Sequence, residues 1–144
     1  MNKEFVTHDI AVRLYEKGFD EPCIAHYTST GGFRCSYYGY PDDPEKEFTS
    51  YRNSEIHIDG WVMAPLYQQV LDWFRKKHYM HVHITMDPDV YHSILNYYGE
   101  TLSTELEKEG ICLLRLNRPT GQSYDQALDQ IIHRTLDLIK NGQV

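Results

Sequence analysis

Ala64-Pro-Leu-Tyr-Gln-Gln-Val-Leu-Asp-Trp-Phe-Arg-Lys-Lys-His-Tyr-Met-His-Val-His-Ile-Thr-Met-Asp87 is the stretch in which the hydrophobic period changes. At a turn of near 100° per residue, Leu66, Tyr67, Val70, Leu71, Trp73 and Phe74 share about half a helical circumference, with Gln68, Gln69, Asp72, Arg75 and Lys76 opposite. Pro65 suits the first helical position, where a missing N–H costs nothing. Arg75, Lys76 and Lys77 then fall in the last turn, where the macrodipole favours cations. From Tyr79 the period drops to two: Tyr79, His81, His83 and Thr85 alternate with Met80, Val82, Ile84 and Met86. The prediction is a helix followed by a strand with one apolar and one histidine-bearing face.

Outward from this pair, the chain supplies more of both elements. Toward the N-terminus, Thr7 is positioned as an N-cap, with Asp9 in the first turn and Ile10, Ala11 and Leu14 on one side. Gly18 fits the left-handed position after the helix and Phe19 the apolar contact back to Leu14, which predicts a helix over 8–17. Cys23 to Tyr27 and Phe33 to Tyr38 read as a hairpin around Thr28-Ser-Thr-Gly-Gly32. The polar run from Tyr40 to Asn53 is a surface loop. Glu55 to Val62 predicts a third strand, with Ile56 and Ile58 inward and Glu55, His57 and Asp59 outward.

Beyond Asp87-Pro-Asp89, Val90 to Tyr98 alternates as a further strand. Gly99 to Gly110 carries Leu102 and Leu106 at helical spacing, Ile111 to Leu116 reads as a short strand, and Arg118-Pro-Thr-Gly121 ends it. Ser123-Tyr-Asp-Gln126 is a capping box for a last helix. Ala127, Leu128, Ile131, Ile132, Leu136, Leu138 and Ile139 form its apolar face and Asn141-Gly142 its stop. The order predicts an α+β fold: a mainly antiparallel sheet with about three helices on one face, in a single compact domain over 1–144.

Composition narrows the function classes. A chain of 144 residues has enough length for one core without staples. No run approaches the ~20 apolar residues of a membrane span, and Met1 to His8 lacks a signal-peptide core, so a cytoplasmic protein is expected. Cys23, Cys35 and Cys112 show no Cys-x-x-Cys spacing and read as reduced thiols. A formal net charge of −7 argues against non-specific nucleic-acid binding, which needs a basic surface. The twelve tyrosines suit either cross-strand packing or a binding surface.

His81-Val-His83 places two imidazoles on one strand face, and His57-Ile-Asp59 repeats the spacing on another predicted strand. If those faces aligned, His57, Asp59, His81 and His83 would form a zinc-type set; the alternative is a solvated sheet face. His83-Ile-Thr85 also fits the His-x-Thr element of two-histidine phosphoesterases, but the second copy would need a hydroxyl where Asp59 stands. There is no Gly-x-Ser-x-Gly elbow, phosphate loop or dinucleotide fingerprint, and Cys112 lies in an apolar run. Arg75 and Lys76, with Lys77, and Arg115 with Arg118, read as anion-binding groups or as dipole-complementing surface charge. Tyr37-Tyr38-Gly39 and Tyr97-Tyr98-Gly99 are echoes at strand ends, where exposed rings could stack on a base or a peptide.

Thr7 to Phe19, Ala64-Pro65 leading into Val70 to Arg75, His81 to Ile84 and Ser123 to Leu128 occur in an order that resembles a loose group of small accessory proteins of phages, prophages and mobile elements of gut bacteria. The resemblance is one of layout, and it implies an accessory protein that binds a host or phage protein or sequesters a small nucleotide-like ligand. The first reading is therefore a non-catalytic binding module without a cofactor, contacting its partner through Tyr37, Tyr38, Tyr97 and Tyr98, the acidic loop from Asp42 to Glu47, and Arg75 and Lys76. The alternative is a small hydrolase or phosphodiesterase using His81 and His83, with or without a metal on those residues, His57 and Asp59. A homodimer through a sheet edge or the first helix is the third.

Overall fold

A computed structural model describes residues 4–35, 50–87, 90–97, 114–121 and 123–139, with side chains placed for all of these except 86, 87, 90, 97 and 114–121. The architecture is α+β, as predicted; among the described residues every strand pair is antiparallel and the strands divide between two three-stranded sheets. The chain forms two compact units, Met1–Val70 and Leu71–Lys140. No helix among the described residues is long and apolar enough to cross a membrane.

The first unit begins with helix α1 (His8–Glu16), which buries Ile10, Ala11 and Leu14. Thr7 takes the N-cap position but its side chain makes no capping bond; its carbonyl accepts the Ala11 N–H instead. The C-terminus follows the sequence closely. Gly18 has φ +89°. That left-handed turn lets the Gly18 N–H reach the Tyr15 carbonyl at 3.1 Å and the Phe19 N–H reach Leu14 at 2.9 Å.

Strands β1 (Ala25–Tyr27) and β2 (Phe33–Cys35) form the hairpin, with Tyr27 opposite Phe33. The third strand of this sheet is β3 (Val62–Met63), paired on the other side of β1. Buried Tyr27 donates its hydroxyl hydrogen to the Val6 carbonyl at 2.6 Å and packs edge-on to Phe33. Cys23 stands outside the hairpin, bridged to Tyr51 by two backbone hydrogen bonds of 2.8 and 2.9 Å. Cys23 and Cys35 are both free thiols.

The predicted strand over 55–62 is not formed. Asn53–Glu55 is a 3₁₀ turn, the chain bends through 58–60, and only Val62 and Met63 join the sheet. The reason is a buried side chain. Asn53 donates Nδ2–H to the Phe19 carbonyl and accepts the Met63 N–H on Oδ1, both at 2.9 Å. These bonds hold both ends of the segment and fold what lies between them into a loop. Ile58, expected inward, is 53 % exposed.

Helix α2 (Tyr67–His78) starts two residues after Pro65. Pro65 stands outside the helix, and its carbonyl accepts the Val6 N–H at 3.0 Å. The helix start is capped by Gln69, whose Oε1 accepts the Leu66 N–H at 3.0 Å while Nε2 donates to the Pro22 carbonyl at 2.7 Å. Val70, Trp73 and Phe74 are buried, and Arg75, Lys76 and Lys77 are exposed.

The second unit contains β4 (Met80–Asp87), β5 (Val90–Tyr97) and β6 (Leu114–Gly121) in the order β4-β5-β6. Tyr79, predicted within β4, precedes it with φ +56°. Strand β6 runs through Arg118-Pro119-Thr120-Gly121, a stretch whose sequence reads as a stop. Proline costs no ladder bond on an edge strand, and the register shifts where it pairs, between Tyr91 and His92. Helix α3 (Tyr124–Leu138) lies across all three strands. Its Ser123 cap accepts the Gln126 N–H at 3.2 Å. The buried face is Ala127, Leu128, Ile131, Ile132, Thr135 and Leu136. Leu138, predicted on that face, is 43 % exposed; Thr135 is buried in its stead, its hydroxyl bonded to the Ile131 carbonyl at 2.7 Å.

Candidate functional site

The loop between the Cys23–Tyr51 bridge and β3 is built by short polar contacts. Asp20 grips it at three points: its carboxylate accepts the Ser54 N–H and hydroxyl, each at 2.8 Å, and its carbonyl accepts Arg52 Nη1 at 2.6 Å. Glu55 folds back so that Oε1 accepts the Arg52 N–H at 3.1 Å. The return bend needs Gly60, which has φ +77° and passes so close to Ser29 that an added Cβ would lie 2.7 Å from the serine Cβ. The Trp61 N–H closes the bend on the Ile58 carbonyl at 3.1 Å.

Emerging from that bend, Trp61 stacks on His26 of β1, with ring centroids 4.5 Å apart and planes 16° from parallel. The stacked pair forms one side of a cleft of about 220 Å³. Tyr51, Glu55, Ile56, His57 and Ile58 line the remainder. An engineered cavity of about 150 Å³ holds a benzene ring, so this cleft has room for one ring or one side-chain head group.

Its polar atoms are scarcely used by the described residues. Glu55 makes the single bond through Oε1, and its Oε2 takes none from the described residues. The same holds for the Tyr51 hydroxyl, the His57 ring and the Trp61 indole N–H, none of which bonds to a described residue. Nε2 of His26 is buried, with no hydrogen-bond partner among the described residues. Burial first, and then the charge of Arg34, push the His26 imidazole below its ordinary value of 6.5, so the ring is neutral at pH 7. Among the described lining residues there is no Lys or Arg, and Glu55 is the one carboxylate; Arg34 lies opposite His26 on the neighbouring strand.

The residues singled out from the sequence are placed differently. His57 is part of the cleft, but it and Asp59 lie exposed in the loop rather than on a strand, so they do not form a two-apart pair on a sheet face. His81 and His83 do sit two apart on β4, opposite Asn96 and Ile94, with His81 half-buried and His83 exposed. Among the described residues no three or more His, Cys, Asp or Glu side chains gather as a metal-binding group. Arg75 pairs with Asp72 one turn back at 3.0 Å, and Lys76 is exposed beside it. Tyr37, Tyr38, Tyr98 and the acidic stretch 42–47 lie outside the described residues, as do Cys112, the turns over 99–110 and Asn141-Gly142; of Tyr97 the backbone alone is described.

Sequence reasoning missed His26, Tyr51, Glu55 and Trp61. The available signal was Asp59-Gly60, a turn pair immediately before a tryptophan, which breaks the alternation of a strand at that point. No family model, curated protein or solved structure matches the chain.

Proposed function

We propose that the protein is a non-catalytic binding module and that the cleft beside the His26–Trp61 stack is its ligand seat. The observation that carries this reading is the gathering, on one 220 Å³ cleft, of a stacked aromatic pair and three further polar side chains, Tyr51, Glu55 and His57, whose bonding capacity the described residues leave open. The chemistry of the lining also sorts the ligands. Phosphate-bearing molecules are disfavoured, because the described lining residues offer a carboxylate and no Lys or Arg. A neutral ring or a cationic side chain of a protein partner is favoured, since either gains from an indole face.

The test is a fragment titration of the full chain followed by ¹H–¹⁵N NMR. The indole signals of Trp61 and Trp73 are assigned with a Trp61→Phe variant, which keeps a ring against His26. Binders that shift and saturate the Trp61 indole, and not that of Trp73, support the reading. Turnover of a phosphodiester that disappears in His83→Ala, with no fragment moving Trp61, would replace it with hydrolysis on β4.

A further inference from the structure

Resting on the reading of the cleft as a binding seat, we infer that its occupant is the guanidinium group of an arginine side chain on a protein partner. Charge comes first. Among the described lining residues Glu55 is the one carboxylate and none is Lys or Arg, although Arg34, opposite His26 on β2, is close enough to act on that ring; the whole chain carries a formal net charge of −7. The net charge favours a cationic partner, and Glu55 offers it a counter-charge inside the cleft.

Hydrogen bonding then selects the kind of cation. Glu55 Oε2 and the Tyr51 hydroxyl oxygen are both acceptors, and neither takes a hydrogen bond from a described residue. A guanidinium supplies five N–H donors in one plane, enough to meet both; a methylated ammonium has few or none. Shape agrees. The stacked His26 and Trp61 rings both line the cleft, and guanidinium is the protein cation that pairs with an aromatic face while donating from its edge. His26 contributes by being neutral: a protonated imidazole against the indole would repel the incoming charge, and its burial beside Arg34 works against protonation.

The experiment titrates the full-length protein with the peptide acetyl-Gly-Arg-Gly-amide and reads the Trp61 indole signal. The comparison probes are the same peptide with citrulline, which keeps the shape without the charge, the peptide with trimethyllysine, and guanosine. The arginine peptide is expected to saturate the Trp61 shift, with affinity at least tenfold above the citrulline peptide and falling as salt is raised. Glu55→Gln should reduce that affinity about tenfold while the fold is kept, because the glutamine oxygen still accepts the Arg52 N–H. Equal affinity for citrulline and arginine, or an unchanged affinity in Glu55→Gln, overturns the inference. Saturation by guanosine or trimethyllysine with no response to arginine overturns it too, but leaves the cleft a binding seat. A Trp61 signal that none of these probes moves sinks the inference and counts against the seat itself.

Discussion

Replacing Asn53 by alanine tests the contact on which the cleft-bearing loop depends. Asn53 is 8 % exposed, and its amide spans two backbone groups, the Phe19 carbonyl and the Met63 N–H, each at 2.9 Å. A satisfied hydrogen bond contributes only about 1 kcal/mol net, but truncation strands both backbone partners, at about 1–3 kcal/mol for each that water does not reach. The void left by the amide admits water to one of them more easily than to both, which puts the total at roughly 2–4 kcal/mol. For a chain of this length that corresponds to a melting temperature lower by about 10 °C. Urea unfolding followed by circular dichroism should show the midpoint falling by about 1–2 M with an unchanged slope. A second, local reading comes from hydrogen exchange: the Met63 amide proton loses its acceptor and should exchange markedly faster. Asn53→Asp separates the two bonds, since a carboxylate still accepts from Met63 but has no donor for Phe19; it should keep Met63 protection and still lose stability. A midpoint within 0.3 M of the parent, judged against an expected shift of about 1–2 M, together with unchanged Met63 protection, would refute the argument that this side chain shapes the loop.

Gly60→Ala forces a side chain into a left-handed backbone at φ +77° and against Ser29, at 2.7 Å from its Cβ and 3.3 Å from its Cα; a loss of about 2 kcal/mol or more is expected in urea unfolding, only partly restored by adding Ser29→Gly. His26 and His78 both resist protonation in the folded state, His26 by burial and Arg34, His78 by burial and Lys77. Unfolded imidazoles bind protons from their ordinary value of 6.5 downward, so stability from these two groups is complete above that pH and is lost as pH falls from it through their lowered values. NMR titration should place both rings below 6.5, and a value at or above it for either would remove that ring from the argument. Burial, and then Glu21, push the Cys23 thiol up to about 12. Iodoacetamide at pH 8 should therefore alkylate exposed Cys35 in the native protein and spare Cys23 until urea is added, as peptide mapping would reveal.

What the sequence determined by itself was the set of features whose partners are near in the chain. The α1 terminus at Gly18 and Phe19 bonds back to Tyr15 and Leu14, and the α3 start at Ser123 bonds to Gln126. The alternation of β4 against β5 follows from residues that share a face two apart. These rest on helical turns, caps and pleats, whose energies depend on a few consecutive residues. Tertiary structure decided the rest. Ile56 and Ile58 carry a strand's alternation, yet their segment folds as a loop because Asn53 reaches the Phe19 carbonyl, 34 residues away along the chain, and Met63 beyond the bend. Proline in β6 stops a strand in the sequence but not on the edge of a sheet, and whether a strand is an edge is a property of the assembled sheet. The exchange of Leu138 for Thr135 depends on which side of α3 the sheet occupies. His26 and Trp61 become a stacked pair only when β1 meets β3 and the loop before it turns inward. A backbone donor is bound to find an acceptor, but which one it finds across the chain is set by how the apolar surfaces close together, and no short stretch of residues carries that information.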